Sequence, residues 1–214
     1  MKIGIIGAGH IGATLAELLA GVGHEVALSN SRSPDTLGDL VADLNKNAQN
    51  NSESGSVQAV RAEDAASFGD LVIEAIPFGH YRDLPKDELA GKTLVSASNY
   101  YPERDGEMDL GSHTQTGLVA SYLSNTAVVK AFNTIYWEHL HRQGDTTKPV
   151  DERRVIFIAG DDEAAKREVT DLIEEIGFGA FDTGLLSESS IQEPGAEIYN
   201  RDMTVAEARE RLAS

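Results

Sequence analysis

The amino-acid sequence predicts an α/β domain with a doubly wound, mostly parallel β-sheet and extra strands and helices in its C-terminal part. Short apolar segments alternate with segments whose apolar residues recur at helical spacing. The apolar segments have no polar face, which is typical of parallel strands that helices cover on both sides. The length of 214 residues fits one domain with a modest extension.

The first elements follow a β-α-β-α order. Residues 2–6, Lys-Ile-Gly-Ile-Ile, form a short apolar segment bounded by glycine and predict the first strand. A helix is predicted over residues 11–22 and a second strand over 25–29. Ser33 and Pro34 then supply an N-cap and a first-turn proline for a second helix.

The later elements continue this alternation. A polar stretch rich in Asn and Ser, residues 47–55, predicts a surface loop. Further strands are predicted over 57–60, 70–76, 92–97, 127–132, 154–159 and 180–183. Further helices are predicted over 63–68, over 116–123, from a cap at Asp161 or Asp162 to Gly177, and from the capping box that begins at Thr204.

Charge and composition exclude several classes of protein. The net charge of −17 produces a field that repels nucleic-acid phosphates and anionic membranes. The absence of cysteine excludes disulfide scaffolds, thiolate chemistry and cysteine-based metal sites. No apolar run reaches the roughly 18 to 20 residues of a membrane span, and no signal peptide precedes the first strand. We therefore expect a cytoplasmic protein that binds neither nucleic acid nor membranes, whose acidic surface reflects either a salty cytoplasm or solubility.

A glycine motif separates the first strand from the first helix. Gly7-Ala8-Gly9-His10-Ile11-Gly12 has the pattern G-x-G-x-x-G in the strand–turn–helix context that the motif requires. Gly7 permits the tight turn, Gly9 lets the backbone approach a pyrophosphate, and Gly12 allows the helix to pack closely on the strand. With the N–H groups of the helix N-terminus, Gly7, Gly9, His10, Ile11 and Gly12 predict a dinucleotide site in a Rossmann-like fold. The alternative is a glycine-rich turn without a ligand.

The residues after the second strand favour NADP(H) over NAD(H). NAD sites place an acidic residue here to bind the ribose hydroxyls, whereas this sequence has Asn30-Ser31-Arg32. Ser31 can donate a hydrogen bond to a ribose phosphate, and Arg32 can pair with the phosphate or stack on adenine. We therefore predict that residues 30–32 bind the 2′-phosphate; the alternative is that Arg32 is a solvated surface charge.

The residues that follow the other strands are further candidates, because ligands of open α/β sheets bind beyond the carboxyl ends of the strands. We expect Ile76, Pro77 and Asn99 near the ribose and nicotinamide. Each also has a structural interpretation, since Pro77 can simply end a strand and Phe78 can be a core residue.

The sequence offers no clear acid–base pair and no metal site. His80 follows a predicted strand, but a single loop histidine is more often a surface residue. His139 and His141 are two residues apart, which places them on different faces of a helix. Asp161 and Asp162 stand at a helix start, where acidic residues cap the helix and complement its dipole, so no metal is assigned.

These motifs and three later segments resemble a known family. The later segments are residues 129–135, Val-Lys-Ala-Phe-Asn-Thr-Ile, residues 160–162, Gly-Asp-Asp, and residues 182–186, Asp-Thr-Gly-Leu-Leu. With residues 7–12 and 30–32 they resemble the NADPH-dependent reductases of the deazaflavin coenzyme F-420. They also resemble the related domain that passes hydride from NADPH to flavin in membrane ferric reductases. The similarity extends from residue 1 to about residue 190.

The resemblance implies direct hydride transfer between NADP(H) and a second ring, which would be the small-molecule acceptor. It implies that the nicotinamide is bordered by Ile76, Pro77 and Phe78, and that the acceptor is faced by Asn133, Thr134 and Ile135. The sequence has Asn133 where the deazaflavin reductases commonly have histidine, and residues 192–195 differ from their C-terminal segment. The acceptor therefore stays open between coenzyme F-420, a flavin and another compound.

The predicted organisation is one NADP-binding domain over residues 1–186, which includes the acceptor cleft, with a C-terminal extension, residues 187–214, packed on it. Two other functions stay open. One is an imine reductase similar to pyrroline-5-carboxylate reductase, whose all-helical C-terminal domain is not what residues 154–183 predict. The other is an NADP-binding redox sensor without catalysis. Tyr136 and Trp137 fit either a homodimer contact or the acceptor pocket.

Overall fold

A computed structural model describes residues 1–48 and 54–213 of the chain. Within these residues, one sheet runs in the order β3-β2-β1-β4-β5-β6-β7-β8. The strands are β1 (Lys2–Ile6), β2 (Glu25–Ser29), β3 (Ser56–Val60), β4 (Leu71–Glu74), β5 (Thr93–Ser96), β6 (Ala127–Lys130), β7 (Val155–Gly160) and β8 (Gly179–Asp182). The first six are parallel, β7 is antiparallel to β6, and β8 is parallel to β7.

Helices cover both faces of this sheet. They are α1 (His10–Gly21), α2 (Gly38–Ala48), α3 (Ala62–Phe68), α4 (Lys86–Leu89), α5 (Pro102–Asp105), α6 (Gln115–Tyr122), α7 (Trp137–Arg142), α8 (Glu163–Glu175) and α9 (Val205–Leu212). Leu15, Leu140 and Leu172 bring α1, α7 and α8 onto one face. Ala65 and Val119 bring α3 and α6 onto the other. The strand order and the two helical layers confirm the predicted Rossmann-like fold.

Two central strands, β4 and β6, end earlier than the sequence predicts. β4 ends at Glu74 and β6 at Lys130, two residues before the predicted ends. The chain leaves the sheet here to form the floor of a cleft, and Phe132 adopts a φ of 61° in this departure. The predicted loop over 47–55 begins inside α2, which continues to Ala48, and residues 49–53 lie outside the described residues. The short helices α4, α5 and α7 are absent from the prediction because four to six residues show no periodicity.

The C-terminal residues pack on the last two strands. Ile198, Met203 and Val205 form a small apolar cluster with Val155 and Phe157 of β7. The predicted capping box is present, because Thr204 accepts from the Glu207 N–H while the Glu207 carboxylate accepts from the Thr204 N–H. This packing brings the segment before α9 back to the carboxyl edge of the sheet.

Candidate functional site

A cleft of about 540 Å³ lies at the carboxyl ends of the central parallel strands. Its walls are the first turn of α1, the segments that follow β4, β5 and β6, and a part of the C-terminal segment. The strand order reverses between β1 and β4, and open α/β sheets bind their ligands at such a switch point. The cleft is also within the usual volume range of ligand sites.

The three glycines of the turn differ in what an added side chain would meet. Gly7 has a φ of +113°, and its N–H donates to the Ser29 carbonyl oxygen at 3.0 Å. A Cβ on Gly12 would lie 1.8 Å from the Gly7 carbonyl oxygen, so this glycine is needed for the contact of α1 with the turn. A Cβ on Gly9 would meet no atom within 4 Å. The fold therefore requires Gly7 and Gly12, while the bare Gly9 leaves room for a ligand.

The N-terminus of α1 can bind an anion. Gly9 is its N-cap and provides no side-chain cap, and the first turn contains no acidic residue. The first N–H groups of a helix have no intrahelical partners, and the helix dipole places positive charge there. His10 and Ile11 of this turn both line the cleft. The free N–H groups, the helix dipole and the open space next to Gly9 together suit the binding of a pyrophosphate.

Residues 30–32 form a stiff loop at the carboxyl end of β2. The Asn30 side chain accepts from the Arg32 N–H at 2.9 Å and donates to the Thr36 hydroxyl at 2.8 Å. Asn30 therefore shapes the loop, whereas Ser31 and Arg32 are exposed. The Arg32 guanidinium forms no ion pair within residues 1–48 and 54–213, so it is available to an anion.

Most of the other predicted site residues meet in the cleft. Ile76, Pro77, Asn99, Asn133 and Ile135 line it. The Asn99 and Asn133 side chains are linked, because the Asn133 amide donates to Asn99 Oδ1 at 3.1 Å and to the Gln192 carbonyl oxygen at 2.7 Å. Hydrogen bonds to the segment after β5 and to the C-terminal segment thus hold the Asn133 side chain in place.

Two of the predicted site residues lie outside the lining of the cleft. Phe78 is 1% exposed and packs against the rings of Tyr81 and Tyr100, as its structural interpretation as a core residue expects. Thr134 is also buried and does not line the cleft, although its neighbours Asn133 and Ile135 do. Sequence adjacency to cleft residues misleads here because successive side chains point in different directions.

Aromatic side chains form the outer part of the cleft. The ring of His10 stacks on Trp137 with 4.6 Å between centroids and 14° between planes. Tyr136 is 50% exposed beside them. Tyr136 and Trp137 both line the cleft, and a homodimer contact through the exposed Tyr136 stays a prediction.

The C-terminal segment closes the opposite wall, and sequence reasoning missed it. The Tyr199 hydroxyl is hydrogen-bonded to that of Tyr101, and Asn200 follows with a φ of 52°. Burial and the Tyr101 hydrogen bond raise the pKa of Tyr199, so its hydroxyl stays protonated at neutral pH. Arg104 stacks over Tyr101 and donates to the Asn99 carbonyl oxygen at 2.6 Å. Nothing in the local sequence pattern connects residue 199 with residue 101.

A buried carboxyl group lies directly behind the cleft. Glu74 is 1% exposed, and its Oε1 accepts from the Ser96 hydroxyl at 2.5 Å and from the Ser98 hydroxyl at 2.8 Å. Burial raises the pKa of Glu74 to about 7, although these hydrogen bonds and the charge of Lys130 favour the ionised form. Burial likewise lowers the pKa of Lys130 to about 8. The sequence placed Glu74 inside an apolar strand and gave no sign of this pair.

Glu74 makes the stability of the protein depend on pH. Because its folded-state pKa lies above the ordinary value of 4.5, its contribution is fully present below pH 4.5 and is lost as the pH rises through about 7. Lys130 acts in a different range, since its contribution is present above 10.5 and is lost as the pH falls through about 8. As the pH rises from 4.5 to 7, the free energy of unfolding of the wild type should therefore fall by about 3 kcal/mol more than that of the Glu74→Gln variant. Urea unfolding at pH 4.5 and pH 7 measures this, and parallel pH curves for the two proteins would contradict it.

The remaining histidines and acids lie outside the cleft. His80 is exposed and pairs with Asp83 at 2.9 Å. Asp162 caps α8 by accepting from the N–H groups of Ala164 and Ala165. Among the described residues, no three His, Asp or Glu side chains are grouped so that they could hold a metal ion. None of the helices in the described ranges has the length and apolarity needed to span a membrane.

Comparison with known sequences gives two findings. A family model described as "NADP oxidoreductase coenzyme F420-dependent" matches residues 2–100, which contain the glycine turn and the Arg32 loop. Metalloreductase STEAP3 of Rattus norvegicus is 32% identical over 190 residues, which are 87% of this chain and 34% of that protein. The chain thus spans about a third of the length of the curated relatives it matches.

Two solved structures match nearly the whole chain. The hypothetical protein SMa0349 from Sinorhizobium meliloti has a TM-score of 0.81 and 31% identity, with 95% of both chains covered. A protein from Arthrobacter sp. fb24, provisionally described as an F420-dependent NADP reductase, has a TM-score of 0.71 and 24% identity, with 87% of this chain and 86% of that chain covered. These likenesses confirm the fold, including the strands after residue 150.

Proposed function

The chain belongs to the family of coenzyme F420-dependent NADP oxidoreductases, and on this premise we propose that it transfers hydride between NADP(H) and a planar ring acceptor, coenzyme F-420 or a flavin. One observation carries the proposal. The open glycine turn leads directly into a cleft whose outer walls are the rings of His10, Trp137, Tyr101 and Tyr199. Aromatic walls suit a flat ring stacked on the nicotinamide.

The residues of the chain supply binding and orientation. Gly9 and the N-terminus of α1 would hold the pyrophosphate, and Ser31 and Arg32 the 2′-phosphate. NADPH supplies the hydride when bound. Ile76 and Pro77 would border the nicotinamide, while the linked side chains of Asn99 and Asn133 fix the floor on which the two rings meet. Hydride transfer between rings needs mainly proximity and orientation, which a rigid cleft provides.

The experiment is a stopped-flow record of NADPH absorbance with the purified chain and coenzyme F-420, FMN, FAD or no acceptor, at low and high salt. Rapid acceptor-dependent loss of NADPH is the expected result, and the acceptor that gives it identifies the second substrate. NADPH binding without oxidation by any acceptor would contradict the proposal and favour the sensor.

Arg32→Ala should weaken NADPH binding much more than NADH binding. Its exposed guanidinium has no ion-pair partner in the described part of the chain, so its loss removes only a charge-assisted contact with the 2′-phosphate. Such a contact corresponds to a roughly 10- to 100-fold rise in the Kd for NADPH. Titration calorimetry with both dinucleotides measures it, and Arg167→Ala, at an exposed position on α8, is the control. Equal losses for NADPH and NADH would show that Arg32 does not bind the phosphate.

A further inference from the structure

A row of buried polar side chains crosses the sheet beneath the cleft, and the proposed hydride transfer makes no use of it. The strand register pairs Glu74 of β4 with Ser96 of β5, and Ser96 with Lys130 of β6. Register partners of neighbouring strands project from the same face of the sheet. All three residues are at most 1% exposed. Burying two ionisable groups at the centre of a sheet is costly, so the row needs a reason beyond stability.

The Glu74 carboxyl group of this row is connected to the cleft through Ser98, but its negative charge is not fully balanced by hydrogen bonds and nearby positive charge. Ser98 lines the cleft, and its hydroxyl donates to Glu74 Oε1. Glu74 Oε2 is buried and accepts no side-chain hydrogen bond among the described residues, although the backbone of Ile76 also favours the ionised form of the carboxyl group. Lys130 Nζ donates to the Thr116 hydroxyl at 2.9 Å and is not bonded to the carboxylate. An ionised Glu74 is therefore short of positive charge, and a cation in the cleft would supply it.

The proposed ligand changes its charge at this end of the cleft. The nicotinamide ring is positively charged in NADP+ and neutral in NADPH. Ala75 and Ile76, the residues directly after Glu74, line the part of the cleft in which we place this ring. A carboxylate behind Ser98 attracts the oxidised ring, and the oxidised ring in turn stabilises the carboxylate.

We propose that Glu74 makes the cleft discriminate between the two redox states of the dinucleotide, its carboxylate favouring NADP+ and its protonated form favouring NADPH. This inference rests on the proposed function. In those molecules whose Glu74 is protonated, the carboxyl group releases its proton to solvent when NADP+ binds and keeps it when NADPH binds, and no other bond is made or broken. Because the pKa of Glu74 is raised to about 7 by burial, both forms are populated near neutral pH. Glu74 is a positioning residue here, since it acts on the ligand through Ser98.

Other charged and titratable groups also face this region, and the experiment has to separate their protons from that of Glu74. They are Lys130 on β6, Glu193 in the segment between β8 and α9, and the cleft residues His10, Tyr101, Arg104 and Tyr199. The 2′-phosphate, a phosphate monoester with a second pKa of about 6, binds protons as well. Both dinucleotides carry this phosphate, so its protons cancel when the proton release with NADPH is subtracted from that with NADP+. His10→Asn removes the imidazole that stacks on Trp137.

The experiment is titration calorimetry of the full chain with NADP+ and with NADPH, in two buffers of different ionisation enthalpy at pH 6, 7 and 8. We expect the wild type to release more protons with NADP+ than with NADPH, and its affinity for NADP+ to rise with pH. Glu74→Gln should abolish the difference and weaken NADP+ binding about tenfold, with NADPH within about twofold. Glu210→Gln, at an exposed carboxyl group on α9, should behave as the wild type. His10→Asn changes a cleft residue and can alter both affinities, but the difference in proton release between NADP+ and NADPH should persist in it.

The wild-type proton count needs no variant, so a Glu74→Gln chain that fails to fold would still leave the inference tested. Equal proton release with both dinucleotides, or a difference that persists in a folded Glu74→Gln variant, would overturn the proposed role of Glu74. Either result would leave the proposed function unaffected. Failure of either dinucleotide to bind the wild type would overturn the proposed function and this inference with it.

Discussion

Gly9→Ala should abolish tight NADPH binding while leaving the fold unchanged. Gly9 has φ −74° and ψ −174°, which alanine adopts without strain, and the added Cβ meets no protein atom within 4 Å. The methyl group would instead occupy the space in which the pyrophosphate approaches the backbone. Losing two or so hydrogen bonds to a charged phosphate costs about 3 kcal/mol, which is a rise of about 100-fold in Kd.

Titration calorimetry with NADPH measures the loss, and thermal unfolding without ligand provides the control. The melting temperature of Gly9→Ala should match that of the wild type, because the lower chain entropy of alanine in the unfolded state offsets its poorer N-cap propensity. NADPH binding at wild-type affinity by this variant would show that the dinucleotide does not lie on the glycine turn.

Gly12→Ala should produce the opposite result, a severe loss of stability. Its Cβ would lie 1.8 Å from the carbonyl oxygen of Gly7, and this contact is with backbone that cannot rotate away. Helix α1 would have to move from β1, and that helix contributes Leu15, Ala16 and Leu19 to the core. We expect the free energy of unfolding to fall by about 3 kcal/mol or more, a large share of the stability of a typical domain.

The matched control for Gly12→Ala is Gly21→Ala, in the last turn of the same helix. A Cβ on Gly21 meets no atom within 4 Å, so alanine should be neutral or stabilise the protein by up to about 1 kcal/mol. Urea unfolding of the three proteins measures both effects. Equal stability of Gly12→Ala and the wild type would contradict the close packing of α1 on the turn.

The fold could be predicted because its strongest signals are local. Residues 25–29 and the helix capped by Asp162 have apolar patterns long enough to fix their type, and the observed β2 and α8 follow them closely. The strand ends could not be predicted as well, because the apolar side chains of Ala75 and Ile76 continue the pattern of β4 although they line the cleft. Composition alone does not separate a sheet position from a cleft wall.

The candidate site was predictable only where a motif specifies backbone geometry. The glycine turn and the Arg32 loop stand where the motif places them, because both are fixed by their neighbours in sequence. The wall formed by Tyr101 and Tyr199 joins residues 98 positions apart and depends on tertiary packing. The buried Glu74 was hidden for a similar reason: its partners Ser96 and Ser98 come from β5 and from the segment directly after it.

If the cleft holds one face of the nicotinamide against the acceptor, hydride leaves from only one side of C4. The direct test uses NADPH carrying deuterium at either the pro-R or the pro-S position of C4, oxidised by the acceptor that the wild-type protein reduces, with mass analysis of the NADP+ produced. We expect one isomer to lose all of its deuterium and the other to retain all of it. Equal loss from both isomers would contradict a nicotinamide fixed in the cleft.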